Sequence, residues 1–509
     1  MVDYVLIQTK PNQTPPSAPS GGGGLPSGVT LQAIDGETMT SPTTMSNNYY
    51  GRNGFTYAAN AGWDSPSFFP MGNSGGSISD SSLVSLYQQL NWNMHYVNGS
   101  AENFSLLGFN ASPPLWVGAN YDNGFLAGMG AETVILETFD EPSTFAEGIT
   151  TPLGNCANSI QTGRPWWINN TNFWIANGGL SGDPSGNNAQ DLAYLVTTPS
   201  GAGQTQRHID IASIDMYFFS GSTGGMNSNL TGVWNLGGNQ TAATADQCRR
   251  GFLYGDILDR MRSDQAANYP APLLSYIETG GPYTQNTTGA SYIQPAELNQ
   301  AAWQGIIHGA RGIVYFDYTF DGPGAGAPQG GIFTQGTYIT SAANYPTGVT
   351  NPTGISMFTQ ITTTGALILA LAPIINSPKA INYVTVNPAS AEIQPLPLTG
   401  GNGGTTANGT AVFAGIDVRA MYYTGGSFTN KYNTTYGGGP TTLPNGFYIF
   451  ASPRVSENTT NISATFTVND PNATSVTVVG ESRSISISGG NFTDTFASGL
   501  TVHIYQVNG

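Results

Sequence analysis

The chain has 509 residues, 39% hydrophobic, 11% aromatic and only 9% charged, which argues against disorder throughout and gives room for one large domain plus a smaller one, or for three modest ones. Thirty acids against 14 Lys and Arg leave a net charge of -16; a nucleic-acid backbone or an anionic membrane is a poor partner for it, and neutral or cationic ligands stay open. The longest apolar run, Ala366 to Ile375, falls short of the ~20 residues of a membrane span and contains Pro373, so membrane insertion is not expected.

Residues 1–50 read as an N-terminal arm or linker, with a strand-like run at Tyr4 to Gln8 followed by a Pro/Ser/Gly tract. This start lacks the basic segment, apolar core and cleavage site of a secretory leader. Either the leader is absent from this numbering or export happens another way, for example in a virus particle released by lysis, so the expected location is extracellular or virion-associated. Residues 51–373 alternate short apolar runs with longer polar or helical stretches. The runs are Gly54 to Asn60, Trp92 to Val97, Leu115 to Ala119, Thr133 to Thr138, Trp166 to Asn169, Ile209 to Phe219, Leu273 to Glu278 and Gly312 to Tyr318. Ser81 to Leu90, Gln247 to Ala267, Pro295 to His308 and Ile355 to Leu371 read as helices. The pattern predicts an α/β domain, a (β/α)8 barrel of the TIM type. Residues 374–509 change to period-two alternation between turn residues, in runs such as Val412 to Ile416, Val418 to Tyr423, Phe447 to Ala451, Ser463 to Val468, Ser475 to Val479, Ser484 to Ser488 and Val502 to Val507. They predict an all-β antiparallel sandwich.

In a barrel the chemistry lies at the carboxyl ends of the strands, so acids that directly follow apolar runs are the candidates. Two segments qualify. Thr133-Val-Ile-Leu-Glu-Thr-Phe-Asp-Glu-Pro ends on Asp140 and Glu141, and Pro272-Leu-Leu-Ser-Tyr-Ile-Glu-Thr-Gly ends on Glu278. On the strand count these acids close the fourth and seventh strands. Acetal hydrolysis needs such a pair: one carboxylic acid protonates the departing oxygen while a carboxylate attacks the anomeric centre. Two close carboxyls also raise the proton affinity of one of them, which keeps the acid protonated near neutral pH.

The Asp140-Glu141-Pro142 triplet, Glu278 after the seventh strand, and the passage Ala301-Ala-Trp-Gln-Gly-Ile-Ile-His-Gly-Ala-Arg-Gly-Ile-Val-Tyr-Phe316 resemble clan A of the glycoside hydrolases. In that clan an Asn-Glu-Pro motif carries the acid/base and a later Glu the nucleophile. The resemblance implies Glu141 as acid/base, Glu278 as nucleophile, a retaining double displacement on a polysaccharide or cell-envelope glycan, no cofactor, and a C-terminal β-sandwich. Asp140 stands where the clan has Asn, which commonly bonds the sugar 2-hydroxyl. By the same resemblance Tyr217 donates a hydrogen bond to Glu278. Asp215 is a candidate to orient a sugar hydroxyl or to cap a turn, and Trp63, Trp92, Trp116, Tyr283 and Tyr318 are candidates to stack on sugar rings, two or three of them at most.

Other patterns carry less. Gly72-Asn-Ser-Gly-Gly76 fits the G-x-S-x-G nucleophile turn, but its surroundings read as a loop. Four histidines lack metal-ligand spacing, which makes a zinc site an unfavoured reading, and a calcium ion held by loop carboxylates stays open. Cys156 and Cys248 allow one bridge or none. The Gly/Pro-rich stretch 320–353 is expected to shape the cleft, with an oligomer contact as its alternative role. The competing reading is non-catalytic: a carbohydrate-binding or virion structural protein on a barrel scaffold, for which a carbohydrate polymer or virion assembly supplies the partner.

Overall fold

The computed structural model describes residues 25–34, 38–41, 44–46, 49–75, 77–97, 102–120, 129–142, 163–170, 209–219, 250–264, 271–279, 293–316, 333–334, 337–338, 355–390, 414–425 and 443–509. A closed barrel is formed by β1 (Met71–Ser74), β2 (Met94–Val97), β3 (Trp116–Asn120), β4 (Thr133–Asp140), β5 (Trp166–Asn170), β6 (Ile211–Ile214), β7 (Leu273–Glu278) and β8 (Ile313–Phe316). All neighbours pair in parallel, β8 returning to β1. Strands buried on both faces have no polar side to show, which is why β6 and β7 read as nearly continuous apolar runs. One face packs on the surrounding helices through Ile168, Ala212, Ile277 and Ile313. The other fills the barrel with Tyr96, Trp116, Ile135, Trp167, Leu274, Tyr276 and Val314.

The first strand differs from the expectation. Gly54 to Asn60 is not a strand: Thr56–Asn60 is a short helix. The barrel opens instead with Met-Gly-Asn-Ser, inside the segment read as a loop. Those residues carry little apolar signal because the wall there is tight; a Cβ on Gly72 would collide with the Met94 carbonyl on β2. The strand then leads to the helix Ser81–Gln89, whose first turn is capped by Asp80 accepting from Ser82 and Leu83 N–H.

Later helices start where the sequence supplies caps. Pro295–Ile307 begins with a capping box between Gln294 and Glu297 and with proline in its first turn. Met357–Ile375 starts at Ser356, whose hydroxyl accepts from Thr359 N–H at 3.0 Å. Pro373 lies in its last turn. This helix is long and apolar enough to cross a membrane by length and composition, and half of it is buried inside the protein. Ile361, Ile368, Leu371 and Ile374 belong to the core that surrounds the barrel.

The C-terminal region forms two antiparallel sheets. The larger runs in the order Thr30–Gln32, Lys379–Ile381, Ile416–Tyr423, Gly446–Pro453, His503–Asn508, Ser475–Val478, Arg483–Ser486. The smaller joins Val384–Asn387, Thr460–Val468 and Asn491–Ser498. Their facing side chains, including Tyr383, Ile449, Phe466, Phe492, Phe496 and Tyr505, make a separate core. Residues 30–32, read as part of an arm, are the edge strand of the larger sheet and pair with Lys379–Ile381. Gln300 ties the barrel to this region by donating from Nε2 to the carbonyls of Pro453 and Gly499. Arg419 donates to the Ile307 carbonyl from the other side.

Candidate active site

A parallel barrel puts all carboxyl ends on one rim, and the end of β4 is shaped by a bulge. Glu137 pairs with Trp167 and Asp140 with Asn169, with a register shift between them. Three residues apart, Glu137 and Asp140 would face opposite sides of a regular strand; the extra residue turns Asp140 back toward the face of Glu137. Thr138 spends its hydroxyl on the Trp167 carbonyl at 3.3 Å. Glu141 follows on the rim, exposed, with φ 49, in the left-handed region that side chains disfavour.

A hydrogen-bonded chain crosses three strands to hold Asp140. Trp167 Nε1 donates to Ser213 Oγ at 2.8 Å, Ser213 Oγ donates to Asn169 Oδ1 at 2.6 Å, and Asn169 Nδ2 donates to Asp140 Oδ1 at 2.9 Å. The first two links fix which way the Asn169 amide faces, so its N–H must point at Asp140. Amide donation favours the charged carboxylate.

The strand β5 also holds the residues on both sides of it. The Asn169 carbonyl accepts from Glu141 N–H and the Asn170 carbonyl from Asp215 N–H, each at 2.9 Å. Asp215 is only 6% exposed. Tyr217 donates to its Oδ2 at 3.3 Å, while Oδ1 has no hydrogen-bond partner. Burial, and then the neighbouring Glu141 and Asp140, hold the Asp215 carboxyl well above the usual carboxylate range, against the pull of Tyr217. Tyr276, inward on β7, joins this group: burial first, then Asp140 and Asp215, push its hydroxyl well above the usual phenol range, with Ser74 bonding it from β1.

Glu278 ends β7 and is completely buried. Its Oε1 accepts from Phe219 N–H at 2.7 Å and from the Tyr254 hydroxyl at 2.8 Å. Tyr254, on the helix Leu253–Asp264, is pushed well above the usual phenol range by burial and then by Glu278, so it remains a donor. Tyr217, expected to donate to Glu278, donates to Asp215, and Tyr254 supplies a hydroxyl to Glu278. Tyr254 and Tyr276 escaped sequence reasoning. The first lies 24 residues upstream on a helix, and the second is one more aromatic in an apolar run.

The three tryptophans expected as sugar platforms lie at the opposite end of the barrel or outside its wall. Trp116 opens β3 and meets Phe109 edge-on at 4.8 Å. Trp92 precedes β2 and stacks on Tyr315 among the residues that pack the outer wall. Trp63 packs on Tyr50 and Phe68, in the segment that closes the amino end of the barrel. There Tyr49 donates to the carbonyl of Asp210, just before β6, and Tyr57 N–H to Gly163, just before β5. All three are buried core residues. Tyr283, Tyr318, Cys156, Cys248 and the stretch 320–332 lie outside the described residues.

Away from the rim, Asp256, Asp259 and His308 bring potential metal-ligand atoms within 4.8 Å of one another. Arg454 takes both oxygens of Asp256, at 2.7 and 2.6 Å, so a cation already occupies that charge. The cluster lies between the barrel helices and the C-terminal sheet and serves to join them.

No family model matches the sequence, and no curated protein matches it significantly. Solved structures similar to it include one described as a glycoside hydrolase, at 9% identity and TM-score 0.42 over 87% of this chain and 92% of the other. A glycoside hydrolase of family 5 from Bacteroides vulgatus is 11% identical with TM-score 0.42 over 86% and 89% of the two chains. A family 42 β-galactosidase from G. stearothermophilus is 9% identical with TM-score 0.37 over 87% and 98%. Likeness at this level describes architecture and carries no activity across.

Proposed function

We propose that the chain is a retaining glycoside hydrolase acting on a polysaccharide or cell-envelope glycan. The observation that supports it is the set of acids on the carboxyl rim of a closed barrel: Asp140 and Glu141 after β4, Asp215 after β6 and Glu278 at the end of β7. In the first step Glu278 bonds the anomeric carbon as Glu141 gives its proton to the departing oxygen and the glycosidic bond breaks. In the second, Glu141 takes a proton from water, whose oxygen displaces Glu278 and releases the sugar. Asp140, oriented by Asn169, faces the substrate hydroxyls. Tyr254 and Phe219 N–H hold one oxygen of Glu278 and spread its charge.

A second reading is favoured by one feature. Glu278 is fully buried with two donors on one oxygen, as an acid with a purely structural role would be, and this fits a non-catalytic carbohydrate-binding barrel. The test is hydrolysis of a panel of polysaccharides and activated aryl glycosides by wild type, Glu141→Gln and Glu278→Gln. The enzyme reading expects Glu278→Gln to be inactive and Glu141→Gln to be rescued by azide on activated substrates. Glycan binding without turnover by all three proteins favours the binding reading.

A further inference from the structure

Asp215 enters neither step above, yet it is buried among the rim acids, only 6% exposed. Its backbone and that of Glu141 hang from successive carbonyls of β5, Asn170 and Asn169, each through a 2.9 Å hydrogen bond. Neighbouring carbonyls of a strand point to its two sides, so this anchoring sets the two acids on either flank of β5 with their side chains over the same rim. Oδ2 is engaged by Tyr217, and Oδ1 is buried without a hydrogen-bond partner. A buried carboxylate oxygen with no donor is costly; a carboxylic O–H with an acceptor beside it is not. The acceptor side chain that interacts with the Asp215 carboxyl is Glu141.

We propose that Asp215 and Glu141 form a carboxyl pair holding one proton between them, with Asp215 the positioning residue that keeps this proton available to Glu141 for the departing sugar oxygen. The inference rests on the glycosidase reading for its role in turnover, although the pair itself does not. Two adjacent carboxyls cannot both ionise cheaply, so the pair loses its protons in two separated steps. Asp140 strengthens the effect. Its charge, favoured by the Asn169 amide, stands beside the pair, so removing the shared proton would place three negative charges together. Proton balance is simple: the pair becomes doubly charged when Glu141 protonates the leaving oxygen, and recovers its proton from the attacking water.

Asp215→Asn keeps the shape and removes the partner that shares the proton. Two measurements on the full chain test the pair. The first follows the infrared carbonyl stretch of protonated carboxyls against pH in wild type, Asp215→Asn and Glu141→Gln. A band present in wild type at neutral pH is expected to vanish in Asp215→Asn, and in Glu141→Gln to titrate about one pH unit or more lower, because the neighbouring charge is gone. The second is the pH profile of kcat/KM on whichever glycoside the wild type cleaves, where Asp215→Asn is expected to move the basic limb about one unit or more to lower pH. An infrared band that titrates at the same pH with and without Glu141, or an unmoved basic limb, overturns the pair. Absence of wild-type turnover counts against the enzyme reading alone, because the infrared titration decides the pair without it.

Discussion

Glu141 stands in a backbone conformation that costs an L side chain about 1–2 kcal/mol and costs glycine almost nothing. Strain of this kind persists where surrounding structure imposes it, often at working sites. Glu141→Gly is therefore expected to raise the denaturation midpoint above that of Glu141→Ala while both lose turnover; equal midpoints would mean that the φ of 49 carries no cost. At Glu278 the sign reverses. Tyr254→Phe removes a hydroxyl donor from the buried Oε1, and a loss of about 1–3 kcal/mol is expected in urea unfolding. An unchanged midpoint would show that the hydroxyl is dispensable. The rim acids were legible because each ends an apolar run, where a barrel exposes its chemistry. Their partners were not: the bulge between Glu137 and Asp140 leaves no mark on composition, and the order Trp167, Ser213, Asn169, Asp140 is created by strand register.

Among the elements, seven barrel strands were visible as apolar runs and the first was not. Met-Gly-Asn-Ser is chosen for smallness, since Gly72 must let β2 pass, and Gly72→Ala is expected to destabilise by about 1–3 kcal/mol in thermal unfolding. Wild-type stability in that variant would show that the wall yields. The strand Asn491–Ser498 was missed for another reason. Its inward positions are Phe492, Asp494 and Phe496, and the acid breaks the apolar alternation. Asp494 is tolerated there because Arg483 meets it with two nitrogens at 2.8 Å and Tyr505 donates at 3.0 Å. At the junction of barrel and sheet, His308 meets Asp259 through Nδ1 and Asp417 through Nε2, with Asp256 and Arg454 packed beside them. Burial opposes protonation of the ring, but Asp259 and then Asp417 override it and hold the imidazole well above its ordinary value. A base raised on folding gives stability that is complete below its unfolded value of about 6.5 and fades as pH climbs through the folded one. Wild type is thus expected to lose stability on the alkaline side more steeply than His308→Gln; parallel curves would contradict this.

For the molecule as a whole, the sequence marks a barrel followed by a sheet region, and the structure adds how they are joined. Arg454 is fully buried and meets Asp256 on the barrel helix Leu253–Asp264 and Asp417 on the strand Ile416–Tyr423. Arg454→Met leaves buried Asp256 without its guanidinium and Asp417 with His308 alone, a change worth about 3–5 kcal/mol. Calorimetry of this variant is expected to give a lower and broader transition, or two, where wild type gives one. A wild-type trace would deny that this contact couples the units. On the proposed reading the rim acids Glu141 and Glu278 supply the two carboxyls of a glycosidic hydrolysis. The most direct test of that claim is mass spectrometry after exposure to a panel of activated 2-deoxy-2-fluoroglycosides, which stall a retaining enzyme after the first step. The account predicts one sugar adduct, on the peptide that ends in Glu278, absent from Glu278→Gln. An adduct on any other carboxylate, or hydrolysis that inverts the anomeric centre without an adduct, would contradict it.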